Sequence, residues 1–109
     1  LWHAYRGAIA LGEALDLPPR DPRPSPCESC AAKPCLATCP VGAFDPAGYD
    51  VPACVAHVAS AAGADCLDLG CRARRACPVG RGAHYGAAQA RFHMAAFLAA
   101  QRARADVPL

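Results

Sequence analysis

Cys27, Cys30, Cys35 and Cys39 form a C-x2-C-x4-C-x3-C run that ends at Pro40; Cys54, Cys66, Cys71 and Cys77 follow, and Cys77 is again followed by proline. Both halves close on the same tetrapeptide, Cys39-Pro40-Val41-Gly42 and Cys77-Pro78-Val79-Gly80. A repeat of this kind predicts two pseudo-equivalent sites. Thiolates a few residues apart on one tight loop can hold three corners of an iron–sulfur cubane while backbone N–H groups point at its sulfides, and the fourth corner comes from elsewhere in the chain.

In two-cluster ferredoxins the cysteine before proline ligates the other cluster, because proline removes a donor, fixes φ and directs the chain away. Applied to this spacing, one [4Fe-4S] cluster takes Cys27, Cys30, Cys35 and Cys77, and a second takes Cys39, Cys54, Cys66 and Cys71. Two other chemistries compete. Four disulfides would need a secreted chain, yet no secretory signal opens the sequence and C-x2-C spacing strains a direct bridge. Structural zinc also uses C-x2-C pairs, but the second half has none and a repeated Cys-Pro is not a zinc signal. With two clusters bound, eight thiolates and two oxidised cores would turn the formal charge of +2 into about −2. Arg72, Arg74 and Arg75 flank Cys71 and Cys77, where positive charge would favour the reduced cluster or serve docking; a solvated basic turn is the plainer alternative.

The elements that must position these residues are modest. The apolar fraction is 54%, but alanine supplies much of it, with only three Phe, three Tyr, one Trp and one Met. A chain so short of large core residues and rich in Pro, Gly and Cys draws stability from staples or metals. Apolar positions over Leu1 to Leu17, broken by Gly7 and Gly12, suit either a helix or a pair of short strands. Five prolines between Pro18 and Pro26 make an extended connector. Pro52 to Ala62 reads as a helix capped by Asp50 and stopped by Gly63. A final helix from Ala83 to Arg104 sets Met94, Phe97, Leu98 and Gln101 at helical spacing and docks over the cysteine centre. The divisions expected are residues 1–26 (hairpin and connector), 27–80 (cysteine-rich domain) and 81–109 (helix and tail).

No apolar run approaches the ~20 residues that cross a bilayer, so a cytoplasmic location is expected. The small net charge and the lack of interleaved basic and aromatic residues argue against nucleic acid as a partner. His57, three residues after Cys54, could face a cluster, although a helix-surface role suits it better; His3, His84 and His93 are scattered. Asp45, Asp50, Asp65 and Asp68 read as turn and cap residues. No acid, base or nucleophile stands out as catalytic.

The stretch from Cys27-Glu28-Ser29-Cys30 to Cys39-Pro40-Val41-Gly42-Ala43-Phe44 resembles the first half of a bacterial-type dicluster ferredoxin. Its gap Ala31-Ala32-Lys33-Pro34 is similar to that of iron–sulfur subunits of molybdopterin oxidoreductases. Over residues 1–80, Trp2 to Leu17, the proline-rich connector, C-E-S-C, C-P-V-G-A, Tyr49-Asp50, Cys54, Gly70-Cys71 and Cys77-Pro78 resemble in order the iron–sulfur portion of epoxyqueuosine reductase. That family reduces epoxyqueuosine in tRNA with cobalamin held by an N-terminal domain and electrons from two [4Fe-4S] clusters. The resemblance implies that Trp2 to Leu17 is a short hairpin returning from such a domain, that the chain starts partway into a longer product, and that electrons pass to a partner protein or to that missing domain. The family's second motif is C-x2-C-x3-C-P; Arg74 stands where its middle cysteine falls, and Cys66 is the natural replacement. The expected fold is a small α+β dicluster ferredoxin-like domain with pseudo-two-fold cluster loops, an N-terminal hairpin and a C-terminal helix. Its expected function is electron transfer; the alternatives are the reducing domain of a corrinoid- or flavin-dependent reductase, and a structural zinc protein.

Overall fold

The computed structural model describes residues 7–45 and 48–105. Among them the chain is a mixed α+β fold of six α-helices, two short 3-10 turns and a two-stranded antiparallel ribbon. Residues 7–25 form neither helix nor strand. The hairpin expected over Trp2 to Leu17 is therefore absent from its described part, and residues 1–6, with His3, lie outside the described residues, as does the tail after residue 105. Two glycines and a run of prolines leave that segment without a hydrogen-bonded partner strand.

The strands are found instead between the cysteine loops and the central helix. β1 (Phe44–Asp45) pairs with β2 (Gly48–Tyr49), Phe44 opposite Tyr49. The Asp45 carboxylate accepts from the Gly48 N–H at 2.8 Å and ties the turn. The Phe44 and Tyr49 rings stack at 4.7 Å, a cross-strand pair that stiffens so short a ribbon.

Two one-turn helices carry the first cysteines. α1 (Pro26–Ser29) starts where the Ser25 side chain accepts from the Cys27 N–H, and α2 (Pro34–Ala37) starts behind Lys33; each has proline near its first position, where the missing donor costs nothing. α3 (Val51–Val58) is capped by Asp50, whose carboxylate accepts from the Ala53 N–H at 2.9 Å, as the sequence predicts. The helix ends sooner than expected. It stops at Val58, and Gly63, expected to end it, lies in a 3-10 turn (Ala61–Gly63) that leads into α4 (Ala64–Leu69). A side chain at Gly63 would meet the His57 carbonyl oxygen at 1.9 Å, so glycine is there to let the turn lie against the end of α3.

α5 (Arg72–Ala76) follows Gly70, whose φ of +88° suits glycine alone. α6 (Ala87–Ala105) is the long final helix, beginning four residues later than expected. It packs on α4 and α3, while α2 packs on α5. The core between α3, α4 and α6 is Val58, Cys66 and Leu98, with Cys54, Val55, Leu67 and Met94 against it. Full burial of a Val or Leu side chain contributes about 2 kcal/mol, so a core this small stabilises the fold only modestly. No helix among the described residues is long and apolar enough to cross a membrane.

Candidate metal centre

All eight cysteines are free thiols in this structure. Cys27, Cys30, Cys35 and Cys77 line a single cavity of about 320 Å³. Cys27 and Cys35 sit in α1 and α2, Cys30 closes α1, and Cys77 ends α5, so the packing of α2 on α5 joins the early loop to a residue far along the chain. Pro34, Leu36, Pro78 and Val79 give the cavity apolar walls. Lys33 is its charged lining residue, with a left-handed φ of +36° that costs a residue other than glycine about 1–2 kcal/mol.

Cys39, Cys54, Cys66 and Cys71 are absent from that lining. Cys54 and Cys71 line a second cavity, of about 400 Å³, together with Phe44, Tyr49, Met94 and Phe97; Cys39 and Cys66 do not line it. Cys54 is nevertheless within electrostatic reach of all three partners. Burial pushes its thiol up, the Tyr49 hydroxyl bonded to it works the other way, and Cys71, Cys39 and Cys66 add to the rise. Burial also raises Cys66, against a lowering contribution from the Arg72 backbone N–H. Burial is likewise the main reason the Tyr49 phenol is held above its ordinary value, with its bond to Cys54 contributing next. Cys39 receives the Ala43 N–H on its sulfur at 3.3 Å, and Ala43 is itself buried.

The repeated tetrapeptide has a backbone counterpart. Gly42 and Gly80 both have positive φ, +58° and +75°, so each C-P-V-G closes with a left-handed residue that glycine adopts without strain. In the first copy the Gly42 N–H returns to the Cys39 carbonyl at 3.2 Å.

Among the described residues no three His, Cys, Asp or Glu side chains converge closely enough to hold a single metal ion. Cys27, Cys30, Cys35 and Cys77 stand around one space, and Cys54 and Cys71 border another. Of the other residues singled out, Asp50 is a cap and Asp45 a turn residue, whereas Asp65 and Asp68 are ion-pair partners. The Arg72 guanidinium holds the Asp65 carboxyl below the usual carboxylate range, with Arg75 adding to it, at 2.6 and 2.5 Å. Asp68 pairs with Arg91 and ties α4 to α6. Arg75 also donates to the Gly70 carbonyl at 3.1 Å, and Arg74 lies over the Tyr85 ring, 5.9 Å from its centroid. The three arginines are thus partly spent on folding this turn.

His57 lines none of these cavities. His93 does line the second, with its ring 5.1 Å from that of Tyr85. No local spacing relates His93 to Cys71, because α6 alone brings it there; its place on the same helical stripe as Met94 and Phe97 is the signal that would have found it. Compared with models of protein families, with curated proteins and with solved structures, the chain matches none.

Proposed function

We propose that this chain is a ferredoxin-like electron-transfer module that holds two [4Fe-4S] clusters, one on Cys27, Cys30, Cys35 and Cys77 and one on Cys39, Cys54, Cys66 and Cys71. The observation that carries the reading is the cavity lined by Cys27, Cys30, Cys35 and Cys77, because it joins three cysteines of one loop to the cysteine that opens the second Cys-Pro signal. A space of about 320 Å³ between four thiols suits a polynuclear group better than one zinc ion, which draws its sulfurs to about 2.3 Å.

The chemistry such clusters supply is the gain and loss of single electrons at a potential set by hydrogen bonds and solvent access. The chain's residues have roles suited to it. The Ala43 N–H and the Tyr49 hydroxyl stabilise negative charge on Cys39 and Cys54, while Phe44, Met94 and Phe97 keep water from the inner set. Pro34, Leu36, Pro78 and Val79 do the same, less completely, for the outer set, where Cys27 is exposed.

The test is iron and acid-labile sulfide analysis of anaerobically purified protein, with EPR after reduction. About eight irons per chain are expected for two cubanes. A colourless sample with stoichiometric zinc overturns the reading, and about four irons confine it to one thiol set.

A second reading, the reducing portion of a larger reductase similar to epoxyqueuosine reductase, is favoured by the stretch before Cys27. Ile9, Leu11, Leu15 and Leu17 stay between 54% and 89% exposed, an apolar edge suited to packing on a further domain. A corrinoid- or flavin-binding domain encoded immediately upstream supports this reading, and a start codon immediately before Leu1 removes it.

A further inference from the structure

Lys33 is the one lysine among the chain's 11 Lys and Arg residues. Among the described residues it is also the one residue other than glycine with a positive φ, at φ +36° and ψ +55°. Pro34 follows it, and a proline ring disfavours helical conformations in the residue before it. Elsewhere the chain meets the same need with glycine, at Gly42, Gly70 and Gly80.

Folding does not explain the choice. As the N-cap of α2, Lys33 makes no capping hydrogen bond with its side chain; only its carbonyl is used, accepting from the Leu36 N–H at 2.9 Å. Glycine would adopt the conformation without strain, and serine or aspartate is the better cap. A strained residue that folding does not select points to a use for its side chain. Lys33 lines the outer cavity with Cys27, Cys30, Cys35 and Cys77, where the other walls are Pro26, Pro34, Leu36, Pro78 and Val79. No carboxylate shares that lining, and among the described residues none pairs with Lys33. Arg72 and Arg75, by contrast, are held by Asp65.

We propose that Lys33 sets the potential of the outer cluster, acting through its charge and not as a ligand. The role rests on the cluster reading. Reduction adds one electron from an external donor, with no bond made or broken, and the unpaired ammonium group favours the more negative state. The apolar walls keep that charge less screened than it would be in open water. The competing role for Lys33 is a purely structural one in the turn before α2.

The experiment is a redox titration of the full chain with dithionite, followed by EPR, on samples whose iron content is measured first. The signal lost in Cys77→Ser marks the outer set. Lys33→Gln and Lys33→Gly should each lower the reduced-to-oxidised ratio of that signal about fivefold at a fixed potential, or about 40 mV for one electron, and leave the inner signal in place. Lys33→Arg keeps the charge and should keep the potential. Arg20→Gln removes one charge from the exposed connector and should move neither signal. Urea unfolding reads the structural role separately: Lys33→Gly, which relieves the strain, should be more stable than Lys33→Gln although their potentials agree. Iron-loaded protein whose potential is unchanged in Lys33→Gln, follows stability across the variants, or falls equally in Arg20→Gln overturns this role and leaves the cluster reading standing. A chain that binds no iron refutes the cluster reading and this role with it.

Discussion

The two thiol sets share a closing tetrapeptide but are built by different physics. The set of Cys27, Cys30, Cys35 and Cys77 rests on four-residue helices led by proline, with no buried side chain in either. The set of Cys39, Cys54, Cys66 and Cys71 lies against a packed core, where Val58 is 1% exposed and Cys66 6%, with α6 laid across it. Helices of one turn do not stand alone in water, since nucleation outweighs the bonds they gain. The outer region therefore has little packing of its own to hold it, and the inner region carries part of its own stability.

Replacing one ligand in each set gives the largest expected effects. Cys77→Ser should release about half of the bound iron and leave the amides of α1 and α2 exchanging freely, with little change in total helix content. Cys71→Ser should also release about half of the iron, yet leave α1 and α2 protected. Iron analysis with hydrogen exchange by mass spectrometry reads both. Cooperative loss of α6 in Cys77→Ser would remove the distinction between the two regions.

The inner core is tested next. Gly63→Ala forces a methyl group onto the end of α3, with 2.8 Å to the Val58 Cα, and should cost about 3 kcal/mol or more. Val58→Ala should cost about 2 kcal/mol through lost burial and a residual cavity. Urea unfolding followed by circular dichroism measures both, and iron should be lost first from the inner set. Equal loss from both sets would mean that the core supports the whole chain.

Much of this arrangement was legible in the residues, and the failures have physical reasons. Asp50 caps its helix because its carboxylate offers a free backbone donor an acceptor, a local effect that spacing reveals. Gly63 was misread because a glycine that ends a helix and one that admits a neighbouring turn look alike in sequence; only the 1.9 Å overlap with the His57 carbonyl separates them. The ribbon at Phe44 and Tyr49 is too short for periodicity to register, and α6 alone brings His93 beside Cys71. The brief proline-led helices follow from Ser25-Pro26 and Pro34, which mark helix starts even where no apolar period follows. The described part of the N-terminal segment has no strand, and among the described residues the only sheet is the β1-β2 ribbon.

The smallest expected effect sharpens the comparison further, because it concerns tuning and not folding. Tyr49 donates to Cys54 and stacks on Phe44, so Tyr49→Phe keeps the stack and removes only the hydroxyl. A donor bonded to a cluster thiolate favours the more negative, reduced state. Losing a bond of about 1 kcal/mol should therefore lower the potential of the inner set by about 40 mV for one electron. The outer set has no Tyr49 in its lining, so its potential should stay where it is. A redox titration followed by EPR separates the two signals. Equal shifts in both would mean that Tyr49 acts on the protein as a whole, whereas a shift confined to one signal assigns that signal to Cys39, Cys54, Cys66 and Cys71.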